Sequence, residues 1–130
     1  MGFDRKYLLF SLGYVAVGMG LGVYMGASKN HGQLVPHTHI LLLVGFVESF
    51  IYGLIHKLWL QAPGRGLANA QFVLHEASAV VMIVGLFALF GGLVPEGAMG
   101  PVLGIASVAV LLAALWMIAL VLKFPAKANA

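Results

Sequence analysis

The sequence contains no cysteine, which excludes disulfides, thiolate metal sites and cysteine nucleophiles together. Charge is scarce as well: seven Lys and Arg and four Asp and Glu make up 8% of 130 residues. The net charge of +3 is dispersed along the chain, so it describes no basic patch and implies no nucleic-acid partner. Phosphate-binding P-loops, nucleophile elbows and HExxH zinc motifs are also absent. Apolar residues, by contrast, account for 62% of the chain. A soluble domain of this length cannot hide that much apolar surface, because small domains leave much of their area exposed. The solvent must be a bilayer.

Four apolar segments are long enough for a hydrocarbon core of about 30 Å. They run roughly over 7–27, 37–60, 67–90 and 101–124, joined by "SKNHGQLVP", "QAPGRG" and "GGLVPEGAMG". Pro36 and Pro101 are read as helix starts, where the missing N–H is tolerated. The expectation is a single all-α domain, an integral membrane four-helix bundle. Arg5 and Lys6 precede the first segment as they would a signal peptide, but its apolar run is too long and "GASKNH" is a poor cleavage site, so the helix is read as retained. Arg5, Lys6, Lys57, Arg65, Lys123 and Lys127 lie on the face shared by both termini, against Lys29 alone on the other. By the positive-inside rule both termini of this multi-pass membrane protein are cytoplasmic.

The second segment carries the chemistry. In "PHTHILLLVGFVESFIYGLIHKLW", His37 and His39 stand near the outer face. Two residues apart, they point about 200° away from each other on a regular α-helix, so they serve different partners and cannot chelate one ion. Interfacial hydrogen bonding is the plain alternative. Glu48 falls near mid-membrane, where a carboxylate must be neutral, paired or beside water. Tyr52 and His56 follow it at four and eight residues. The hairpin of segments two and three brings His75 and Glu76 to similar depth. Glu48, Tyr52, His56, His75 and Glu76 are therefore expected to gather in the cytoplasmic half. That cluster reads as a proton or quinone-headgroup site, as a second heme or metal site, or as a hydrogen-bonded structural core; His56 can also snorkel to the interface. His39 and His56 are 17 residues apart, about 25 Å along a helix, so outer and inner groups are separate sites. Glycines at 18, 22 and 26, and at 100 and 104, read as close-packing stripes.

This stretch resembles the tenth transmembrane helix of subunit I in heme-copper oxidases. The C-family oxidases and nitric oxide reductases are nearest, with their His-x-His followed by a glycine beside an aromatic. "FVLHEASAVVMIVGLFALFGG" resembles the next helix of that subunit. The whole chain is most similar to short four-helix bacterial membrane proteins regarded as relatives of subunit I. The resemblance implies that His37 and His39 each ligate the iron of a b-type heme, on opposite sides of one helix. Thr38 or His31 would orient a ligand imidazole or a propionate. It implies no oxygen reductase, because the copper ligands and cross-linked tyrosine belong to helices this chain lacks. Subunit I arranges twelve helices as three arcs of four, and one arc matches this chain. A homotrimer is then expected over a dimer, with each heme between His37 of one protomer and His39 of its neighbour. The expected function is electron transfer, with quinone as a candidate partner. Rival readings are a gas-binding heme sensor, a zinc or copper protein using His31, His37 and His39, and a structural partner of a larger oxidase.

Overall fold

The computed structural model describes residues 1–127. Four antiparallel helices form it: α1, Phe3–Ser28; α2, Pro36–Leu58; α3, Arg65–Phe90; and α4, Glu96–Lys123. Each is long and apolar enough to cross a membrane, and the chain is a multi-pass membrane protein. Helix α2 is wound in two ways: Pro36–Glu48 is a π-helix and Ser49–Leu58 is α-helical. A π-helix of 13 residues is unusual, since π turns occur mostly as single bulges inside α-helices.

Two starts differ from the sequence expectation. Helix α1 begins at Phe3, because the polar "FDRK" continues the helix through the interface. Helix α4 begins at Glu96 behind Pro95, whose extended backbone (φ −70°, ψ 151°) makes it the N-cap. Pro101 therefore lies inside α4, one turn after its start, where little ladder is lost.

Helix α1 packs along the whole of α2, α3 packs on the π-helical half of α2, and α4 packs on α3. The bundle is inverted relative to a soluble one. Its buried positions include Ser11, Ser49, Gln71, His75, Glu76 and Ser78, while large apolar side chains such as Val17, Leu43, Val84 and Leu115 face outward. Lipid solvates those apolar surfaces, but it offers no hydrogen bonds, so polar groups turn inward. An aromatic cluster closes the end near the chain termini. Tyr7, Tyr52, Leu60, Met117 and Leu120 form its core, and the strand-like pair Leu60 and Pro125 ties the end of α4 to the α2–α3 loop.

Close helix approach uses Gly18 of the expected stripes, and otherwise glycines outside them. A Cβ on Gly45 would stand 2.8 Å from Tyr14 Cγ, and one on Gly53 would stand 3.1 Å from the Asp4 carbonyl oxygen. Of the stripe in α1, Gly18 is crowded by Leu42, Gly22 makes an ordinary contact with His37, and Gly26 is open. Gly100 and Gly104 meet nothing within 4 Å; α4 instead crosses α3 at Gly85, against Leu103 and Met99. Gly45→Ala is expected to destabilise the bundle by about 1–3 kcal/mol through overpacking against Tyr14. Gly104→Ala, in open space inside α4, should leave stability unchanged or raise it by up to about 1 kcal/mol. Equilibrium unfolding in mixed detergent micelles measures both, and equal effects would contradict this account of the packing.

Candidate functional sites in the membrane helices

The two histidines of "HTH" have different environments. Two residues on a π-helix, at about 4.4 residues per turn, remain roughly 160° apart. His37 turns toward α1, where its Nε2 lies 2.9 Å from the Gly18 carbonyl oxygen. Nε2 must therefore carry the proton, and the buried Nδ1 has no hydrogen-bond partner. His39 is exposed on the opposite side. The Thr38 hydroxyl donates to the Leu34 carbonyl at 2.8 Å, which uses its only proton. Its 2.9 Å contact with His39 Nδ1 consequently has the imidazole as donor, with the Val35 carbonyl 3.3 Å away as a second acceptor. This fixes the proton on Nδ1 and leaves the Nε2 lone pair free. A metal-binding histidine is commonly held in this way, by a hydrogen bond from its other nitrogen. His31 lies on the exposed loop, its Nδ1 3.2 Å from the Lys29 carbonyl.

Among the described residues, no three His, Asp or Glu side chains come together as an ion-binding group. His39 is the residue that would hold a heme iron: its ring is outward, its tautomer is set and its Nε2 is open. His37 fits only if the bond to Gly18 is exchanged for iron.

The inner residues divide into two hydrogen-bonded groups and an aromatic stack. Tyr52 donates to Glu48 Oε1 at 2.6 Å, one helical turn away. Glu76 lies between three helices: Tyr14 of α1 donates to its Oε2 at 2.7 Å, and Ser49 of α2 donates to its Oε1 at 3.0 Å. Ser49 Oγ is also 3.1 Å from His75 Nε2, and His75 Nδ1 makes no well-formed hydrogen bond, with the Val44 backbone nearby. The His56 ring lies against Phe3 and Tyr7, with centroids 5.5 and 5.7 Å away, so it packs inward and does not snorkel. His56 joins neither hydrogen-bonded group, and its buried Nε2 is unpartnered.

Four participants were not among the expected site residues. Tyr7 touches the rings of Tyr52, His56 and His75 and donates to Gln71 Oε1. Gln71 in turn donates to the Ala113 carbonyl of α4 at 3.2 Å. Tyr14 and Ser49 hold Glu76. The signal for part of this is in α1, whose buried residues Tyr7, Ser11, Tyr14, Gly18 and Met25 follow steps of three, four and seven, the spacing of one helix face.

The chain matches no known family profile, no curated protein and no solved structure. Tyr14→Phe removes a donor from Glu76 and should cost about 1–3 kcal/mol. Tyr24→Phe, exposed on the same helix, should cost nothing measurable. Equilibrium unfolding of both variants checks the difference, and a neutral Tyr14→Phe would argue against this bond.

Proposed function

We propose that this protein is a b-type heme protein of the bacterial inner membrane that transfers electrons, its heme shared between protomers of a homo-oligomer. The observation that carries the reading is His39, whose Nδ1 is tied to Thr38 and Val35 while Nε2 faces outward and unbonded. The similarity of "PHTHILLLVGF" to the ligand helix of heme-copper oxidases supports it independently. When bound, heme b supplies a one-electron iron couple whose potential depends on axial ligation and burial. The chain's contribution is to fix the tautomer of His39 and present it to a water-poor interface. The excess of basic residues on the face carrying both termini supports a cytoplasmic placement of the termini.

A single copy offers one open imidazole, so a six-coordinate iron needs a second chain. In a homotrimer, His39 of one protomer faces His37 of the next, a heterologous contact that closes in a ring. This requires His37 to give up its bond to Gly18. That bond favours a second arrangement, a twofold dimer in which His39 of each copy shares one iron. With His39 alone as ligand, the iron would keep an open position and the protein would bind gases. Quinone is the proposed electron partner. An open groove of about 300 Å³ between α2 and α4, lined by Tyr52, Ile55, Met117 and Val121, places Tyr52, the donor to Glu48, beside apolar walls.

The test is the absorption spectrum of protein purified from heme-sufficient cells, with a pyridine hemochrome assay. A Soret band that is lost in His39→Ala and retained in His56→Ala is expected. A colourless wild-type protein would overturn the reading, and bleaching by His56→Ala would put the heme at the other end. A mass of three chains by native mass spectrometry supports the trimer and a mass of two the dimer. A reduced spectrum shifted by carbon monoxide identifies the open-position form.

A further inference from the structure

The Glu76 carboxylate is held by hydroxyls alone. It is 4% exposed and His75 is fully buried, and the described residues place no cation beside either. Both carboxylate oxygens accept hydrogen bonds, from Tyr14 and Ser49. The groups facing this pair come from each packed element. Helix α1 offers Tyr7 and Tyr14; α2 offers Ser49, Tyr52, Glu48 and, beyond Tyr7, His56; α4 reaches Gln71 through its Ala113 carbonyl. None of these balances a buried negative charge, which costs several kcal/mol when unpaired.

Ser49 decides what the pair can do. Its Oγ is within hydrogen-bond distance of both His75 Nε2 and Glu76 Oε1, but it has one proton to give. Whichever neighbour does not receive that proton must donate one to Ser49. In one state His75 is protonated on both nitrogens, Nε2–H donates to Ser49, and Ser49 donates to the Glu76 carboxylate. In the other, Glu76 is an acid that donates to Ser49, Ser49 donates to Nε2, and His75 keeps only its Nδ1 proton. The two interconvert when the Nε2 proton passes to Ser49 as the Ser49 proton passes to Oε1. One O–H and one N–H bond break, two O–H bonds form, and the proton count is unchanged. Both states are net neutral, the first as a buried ion pair and the second with no ionised group, and His75 Nδ1, beside the Val44 backbone, is the one ring nitrogen outside the relay.

We propose that His75, Ser49 and Glu76 form an intramembrane proton-binding site: breaking the His75 Nδ1–H bond releases one proton and leaves Nε2–H donating to Ser49 and Ser49 donating to the Glu76 carboxylate, and uptake reverses the step. The ligand is a proton, the relay is the Ser49 hydroxyl, and Tyr14 keeps the second carboxylate oxygen in register. The site stands whether or not the chain binds heme, and its readouts do not use heme absorption.

The experiment follows two signals against pH on the full chain in lipid nanodiscs. One is the carbonyl stretch of protonated Glu76 by infrared spectroscopy, assigned by its loss in Glu76→Gln and retention in Glu48→Gln. The other is the ring-nitrogen resonances of His75 in 15N-histidine-labelled protein. The wild type should show both signals changing with common midpoints, as strongly coupled groups do. Ser49→Ala should separate those midpoints by about one pH unit or more. Different midpoints in the wild type, the absence of any titration, or an unchanged pattern in Ser49→Ala overturns the proposal. Should Ser49→Ala not fold, Glu76→Gln serves in its place: it should displace the His75 midpoint by about one pH unit, and an unmoved midpoint has the same overturning force.

Discussion

Glu76 must find its hydrogen-bond donors inside the bundle, because lipid supplies none. Its two oxygens are met by Tyr14 of α1 and Ser49 of α2, so one α3 side chain sets the positions of three helices at once. The close approaches elsewhere follow from this. Tyr14 reaches Glu76 across α2 only because Gly45 leaves room for its ring, and α1 settles against the terminal end of α2 only because Gly53 admits Asp4 and Tyr7. Apolar burial contributes less discrimination here than in water, since outward-facing leucines and valines are as well solvated by lipid tails as by protein. What distinguishes the native arrangement is that buried donors and acceptors meet.

Most of that fold was legible. The absence of charge over four long runs gives four helices, and the breakers between them give their order. Helix ends were less so, because "FDRK" and "PEGAMG" are compatible with both helix and interface, and capping by Pro95 decides the second only in three dimensions. The polar cluster was partly legible. Glu48 and Tyr52 are one turn apart and meet as their spacing requires. Tyr14 and Ser49 were hidden because tyrosine and serine are common in membrane helices, and their partners are 62 and 27 residues away. The π-helical winding was not legible at all. "ILLLVGFV" is as compatible with α as with π, and local propensity carries no information on the difference.

The two groups of polar side chains lie toward opposite ends of α2. The outer half presents His39 toward lipid, with its proton placed by backbone carbonyls and Thr38. The inner half buries Ser49 and Tyr52 against His75 and Glu76. An open imidazole lone pair and a buried hydrogen-bond network make opposite demands on their surroundings. One helix meets both by facing different neighbours at its two ends.

Ser49 is also where the winding changes, being the first residue of the α-helical half. Its hydrogen bonds to Glu76 and His75 anchor that point to α3. Outward from this anchor, each π-helical residue turns about 20° less than an α-helical one would. Over the ten residues back to His39 the difference accumulates to roughly 180°. Rewound as an α-helix from Ser49, the segment would turn His39 toward α1 and carry His37 outward. The exposure of His39, and the bond of His37 to Gly18, are therefore consequences of the π winding and not of the "HTH" spacing alone. The spacing dictates only that the two rings diverge; the winding between Pro36 and Glu48 dictates which of them is exposed.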